Sequence, residues 1–251
     1  MSESEMADPN APAAVQNGHR VLLTRRGFLA VSAALGSGMV QASAPTAEEG
    51  WYKIVSDDGN PVQNLRLPVE LFSEVDELPG LFRVGSETAD VTIVEFYDYN
   101  CPFCRKAAKD LEALVAADKG LRLALVNNPV LSPESKDAAR IELAVLKLRG
   151  PKLAYEFHKR LYRVPGKIGG EKAVAVALEL GISRDEIARI AAGHDVEKAL
   201  ERQLGLAASL GFAATPSFLI AGAGVLGYPG PKSLARIVTS VRRCDAIACG
   251  G

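Results

Sequence analysis

The sequence predicts an α/β core interrupted by an all-helical insertion, and three observations lead there. Val91–Tyr97 is β-branched and aromatic with little alternation, the mark of a strand buried on both faces, and an apolar helical stripe follows it directly. A long block of helix-patterned segments then runs from Ser132 to Leu210 without a strand signal. A short hairpin and a closing amphipathic helix complete the chain. Strand, helix, strand, helices, hairpin, helix is the order of a layered α/β domain carrying inserted helices.

Bulk properties narrow the function. With 251 residues, one or two domains fit. Hydrophobic residues make up 48%, enough for a core. The net charge of -1 leaves no basic footprint, which argues against nucleic acid or an acidic membrane as partner.

The elements follow in order. Residues 1–44 read as a leader. Met1–Gly18 is polar and aperiodic, and Thr24-Arg25-Arg26-Gly27-Phe28-Leu29 resembles the twin-arginine export signal, with Ala30 where Lys is usual. The apolar run from Phe28 to Val40 is short of the ~20 residues a membrane span needs, so no stable span is expected. Small residues suit cleavage after Ala42 or Ala44, and Pro45 disfavours the latter. An ordinary secretory signal is the alternative, and either one places the mature chain in the periplasm. Residues 45–80 form an arm in which Asp58-Gly59-Asn60-Pro61 predicts a hairpin turn, followed by a short helix or loop over Leu71–Leu78. Residues 81–128 hold the first half of the core: the strand at Val91–Tyr97, a helix over Phe103–Val115 and a second strand over Leu121–Val126.

The helical insertion spans 129–210. Ser132-Pro133 starts a helix to Leu148, Gly150 stops it, and Pro151–Tyr162 is the next. Glu171–Leu180 follows, then a helix opened by the capping box Ser183–Glu186, then Val196–Leu210. Residues 211–243 complete the core, with Phe218–Ile220 and Val225–Tyr228 joined through Ala221–Gly224, and a final helix over Lys232–Arg242. Residues 244–251 are a tail.

The chemistry lies in four cysteines. Cys101-Pro102-Phe103-Cys104 falls where the buried strand meets its helix, so Cys101 lies at a helix N-terminus. Unpaired N–H groups and the macrodipole there favour a thiolate, the reactive form of cysteine. Arg105 and Lys106 add positive charge in the first turn, and Pro102 is tolerated because it needs no N–H partner. The rival readings are a static disulfide or half of a zinc site. Zinc normally takes four ligands, and beyond the leader only His158 and His194 are available, so no metal is expected. No cofactor is expected either. Glu95, inside the buried strand six residues before Cys101, would have a raised pKa and could pass protons to and from Cys104; the alternative is a strand-edge carboxylate facing solvent. Pro216, after Thr215, opens a strand, either as a plain trans-proline or as a cis bond facing the cysteines. Cys244 and Cys249 are expected to pair as a structural disulfide clipping the last helix.

Together, Glu95-Phe96-Tyr97-Asp98-Tyr99-Asn100-Cys101-Pro102-Phe103-Cys104, the start of a helical insertion at Pro129–Ser135, and Thr215-Pro216-Ser217-Phe218 resemble the DsbA-like thiol–disulfide oxidoreductases, over Leu81–Val241. The resemblance implies a thioredoxin-like fold with an inserted all-helical domain and disulfide exchange in exported proteins. It implies Cys101 as nucleophile, Cys104 as resolving thiol and a cis Pro216. Thr215, Pro216, Pro102 and Phe103 would meet the substrate, and a redox partner would reset the pair. Two positions depart from the best-known oxidase type: Phe103 stands where His precedes the second cysteine, and Thr215 where Val precedes the cis-proline. Thr there is commoner in isomerase and reductase relatives. An oxidase is the leading expectation, an isomerase or reductase the second, and a Cu(I)-binding thiolate module a third of another class.

Overall fold

The computed structural model describes residues 51–250. The leader with Arg25 and Arg26, and its cleavage region, lie outside them. Among the described residues six strands form one sheet: β1 (Asn64–Arg66), β2 (Phe82–Gly85), β3 (Val91–Tyr97), β4 (Leu121–Asn127), β5 (Ser217–Ile220) and β6 (Ala223–Leu226). Their spatial order is β1-β6-β5-β3-β4-β2. Only β3 and β4 pair in parallel. The crossover between them is α2 (Pro102–Ala117), which packs on one face of the sheet beside α7 (Pro231–Cys244). Between β4 and β5 come α3 (Pro133–Arg163), α4 (Gly170–Glu179), α5 (Arg184–Ala191) and α6 (His194–Ser209). The short α1 (Val69–Ser73) precedes β2. This is the expected α/β architecture with a helical insertion.

Alternation along β3 divides the core. Val91, Ile93 and Tyr97 face α2 and α7, where Cys104, Ala107, Leu111, Leu234 and Ile237 pack. Val94 and Phe96 point the other way, onto Leu206, Leu210 and Phe212, which also receive Leu67, Val75 and Leu78. Glu95 shares the first face, opposite Leu125 of β4 and Phe218 of β5. A carboxyl group is thereby placed on the core side of the central strand.

The two helices expected on either side of Gly150 meet there without a loop: α3 is broken by Gly150, which is non-helical at φ 78 and ψ 179. Pro151 has no N–H to continue the ladder, and glycine takes the positive φ at little cost, so the axis kinks. Three elements differ from expectation. The final hairpin turns on Ala221 and Gly222 alone, both at positive φ, so β6 begins at Ala223. The arm closes as a minimal hairpin around its turn, through the antiparallel bridge of Val55 with Pro61 and the Val62 N–H donating to Ile54 O at 2.9 Å, but its strand β1 was not expected and pairs with β6 at the sheet edge. Finally, β2 was not expected. It pairs antiparallel with β4 at the other edge, and four residues are too few to show a period.

Candidate active site

Both cysteines of the first pair are buried thiols at the start of α2. Cys101 is its N-cap in an extended conformation, and the Cys104 N–H points at its sulfur at 3.4 Å. Pro102 occupies the first helical turn, where its missing N–H costs nothing. One turn on, Cys104 is fully enclosed, while Phe103 between them is 61% exposed. The Cys101 thiol lies 3.0 Å from the Thr215 carbonyl oxygen. The Thr215–Pro216 peptide bond is cis, and Pro216 is buried. Residues more than a hundred apart in sequence are thus in contact at one sulfur.

The two thiols are electrostatically unlike. The Cys101 pKa is lowered to about 6. Hydrogen bonding from the Cys104 thiol contributes most; partial burial opposes it, and the Thr215 side chain and the N–H groups of Cys104 and Phe103 add to the lowering. Burial drives the Cys104 pKa far upward, and the hydrogen bond to Cys101 and the charge of Glu95 push the same way. The positive charge of Arg105, expected to assist, is directed elsewhere. Its Nη1 donates to the carbonyls of Tyr162 and Val164 at the end of α3, the latter at 2.9 Å. Lys106 sits 5.8 Å from the centre of the Tyr228 ring.

Glu95 is 1% exposed, and neither carboxyl oxygen has a protein hydrogen-bond partner. Burial raises its pKa to about 8, helped by the charges of Cys101 and Glu142. It is therefore protonated at neutral pH, and near enough to Cys104 to act on that thiol's ionisation.

Two polar devices around the site carry no sequence signal of their own. Asp98 fixes the loops: its Oδ1 accepts from the Asn100 N–H and the Ser135 hydroxyl, both at 2.7 Å, and Oδ2 accepts from the Leu131 N–H at 2.9 Å. Asn100 reaches on to Ile168, accepting from its N–H at 2.7 Å and donating to its carbonyl at 2.8 Å. The helical insertion is thus bolted to the residues just before Cys101. Deeper, Glu142 accepts from the hydroxyls of Tyr97 and Tyr99 and from Asn127 Nδ2 at 2.9 Å, with His158 Nδ1 at 3.2 Å. Beside Pro102 a depression of about 690 Å³ opens, bounded by Leu131, Ser132 and Pro165. The exposed Phe103 and Leu131 give this end an apolar rim.

Cys244 and Cys249 are joined by a disulfide of 2.03 Å after α7. They do not join the site. Among the described residues no group of three or more His, Cys, Asp or Glu is placed to hold a metal ion, and no helix is long and apolar enough to cross a membrane.

Residues 92–239 match the family model of the DsbA-like thioredoxin domain. No curated protein matches the chain. Among solved structures, a thioredoxin-like oxidoreductase from Silicibacter pomeroyi is 34% identical with TM-score 0.62, over 67% of this chain and 98% of that one. The catalytic domain of ScsC from Proteus mirabilis is 25% identical with TM-score 0.62, over 70% and 98%. The thiol-disulfide exchange protein alpha-DsbA2 from Wolbachia pipientis, 22% identical with TM-score 0.62 over 68% and 94%, is similar in fold.

Proposed function

The chain belongs to the DsbA-like thioredoxin-domain family and is a thiol–disulfide oxidoreductase, and from that premise we propose that it donates disulfides to exported proteins through Cys101 and Cys104. The observation that carries the proposal is the contrast between the two thiols, one pKa lowered to about 6 and the other raised far upward.

In the oxidised pair, a substrate thiolate attacks Cys101 Sγ, the sulfur nearer the surface. The Cys101–Cys104 bond breaks, and its electron pair leaves on Cys104. A buried thiolate is costly there, and Glu95, protonated at neutral pH, supplies the proton. A second substrate thiolate attacks its partner sulfur in the mixed disulfide. The substrate disulfide departs, and Cys101 leaves as a stabilised thiolate. Two electrons pass from two substrate thiols to the pair, and a redox partner must remove them again. Phe103, Pro102 and the Thr215-Pro216 segment would contact an extended substrate beside Cys101, a form of strand addition.

Direction follows from how far the reduced form is favoured. A thiolate stabilised to about 6 makes the pair more oxidising than an unperturbed dithiol. Equilibration with glutathione should give a reduction potential well above the ~-270 mV of thioredoxin. A value at or below that level would make the chain a reductase and refute the donor reading. We assign the chain to the periplasm, exported by the twin-arginine-type leader at Arg25 and Arg26.

A further inference from the structure

The second cysteine pair lies at the far end of the molecule from the first. Arg242 binds Asp118, which ends α2, whereas Cys101 caps its start. A 16-residue helix spans roughly 24 Å, so the tail bond is out of reach of the active-site sulfurs.

Its two sulfurs have different surroundings. Cys244 is exposed and is the last residue of α7. Carbonyl oxygens face its sulfur, Ser240 O at 3.2 Å and Ala246 O at 3.9 Å. Negative charge there would meet the unfavourable end of a helix. Cys249 is half-buried, and the Arg243 Nε–H donates to its sulfur at 3.2 Å, with Ser240 O more distant at 3.7 Å. A guanidinium N–H stabilises a thiolate by charge-assisted hydrogen bonding. The intervening loop is anchored by Ile247, 2% exposed and packed in the core, so the loop is held without the bond. Cys244 is therefore the sulfur open to attack, and Cys249 the better leaving group.

We propose that the Cys244–Cys249 disulfide is a second, directional thiol-exchange site that takes low-molecular-weight thiols on Cys244. A small thiolate bonds to Cys244 Sγ, the Cys244–Cys249 bond breaks, and its electron pair leaves on Cys249 beside Arg243. A second small thiolate attacks the sulfur of the bound one. The oxidised small disulfide departs, and Cys244 leaves as a thiolate that takes a proton from water. In the reverse direction the Cys249 thiolate attacks Cys244 Sγ and expels the small thiol.

The test uses the full chain with Cys101→Ser and Cys104→Ser, so that only the tail pair exchanges. The oxidised protein is treated with reduced glutathione, quenched in acid and mapped by mass spectrometry. In singly opened molecules glutathione should sit on Cys244 at least about tenfold more often than on Cys249. Adding Arg243→Gln, at an exposed position where the fold is not at stake, should slow opening about two- to fivefold, a difference that shrinks at high salt. Glutathione evenly divided or mainly on Cys249, opening of the Arg243→Gln protein at the unaltered rate, or a bond that resists glutathione altogether would each overturn the proposal.

Discussion

Replacing Glu95 by Gln should stabilise the protein near neutral pH while impairing its chemistry. Burial first, and the charges of Cys101 and Glu142 after it, raise the Glu95 carboxyl from 4.5 to about 8. In the unfolded chain the group ionises at its ordinary value. As pH climbs past 4.5, the unfolded chain releases a proton that the folded protein still holds, and stability falls until the folded group ionises near 8. Each pH unit in that window costs about 1.4 kcal/mol, so at pH 7 the penalty has a ceiling of roughly 3 kcal/mol. Glutamine has the shape of the protonated acid and does not ionise. Any packing cost of its amide is independent of pH and moves the whole curve together. Urea unfolding of both proteins with the Cys101–Cys104 pair reduced, between pH 4 and 9, reads the difference. The Glu95→Gln protein should gain on the parent steadily from about pH 4.5 to about pH 8, then level off. A stability difference that does not change with pH would show that Glu95 is not held protonated by the fold, and would remove it from the mechanism. Its exchange rate should meanwhile fall, with an altered pH profile, because Cys104 loses its proton source.

Other consequences are as direct. Alkylation of Cys101 in the reduced protein should show a pH midpoint near 6, and Cys104→Ala should move it up towards the ordinary cysteine range; an unmoved midpoint would discard the Cys104 thiol as the main cause. Asp98→Ala leaves the buried Ser135 hydroxyl and two backbone N–H groups without their acceptor, and should cost roughly 3–5 kcal/mol in a denaturant titration. A cost under about 1 kcal/mol would mean that water replaces the carboxylate. Arg25→Lys with Arg26→Lys should block export, read by fractionation, because a twin-arginine pathway reads the guanidinium pair; normal export would leave only an ordinary secretory signal.

How much of this was legible in the sequence depended on whether the cause was local. The continuous apolar pattern of Val91–Tyr97 placed the central strand at its observed limits, and the Ser183–Glu186 box placed the start of α5. Glu95 stood out as a carboxylate inside such a strand, and burial is where it lies. Effects that arise only when distant segments meet were not visible. The residues alone leave Pro216 open between a trans-proline and a cis bond facing the cysteines, and only the resemblance chooses the second; the contact of Cys101 with Thr215 itself comes from the sheet order, which sets β5 beside β3. The role of Asp98 depends on Leu131 and Ser135 arriving from the insertion. Glu142 and His158 read as ordinary helix residues, and only the bend at Gly150 brings them together. Arg105 shows the opposite error. Its charge was legible and its direction was not, because the carbonyl end of α3 claims the guanidinium.

The central claim is a division of labour between an attackable Cys101 and an enclosed Cys104, and trapping tests it most directly. The Cys104→Ser protein should accumulate mixed disulfides with thiol substrates, attached at Cys101 and released by reductant, because no internal thiol remains to resolve them. Cys101→Ser should trap nothing and exchange nothing, since Cys104 is buried and its thiol resists ionisation. Adducts on Cys104, or full turnover by the Cys104→Ser protein, would contradict the account.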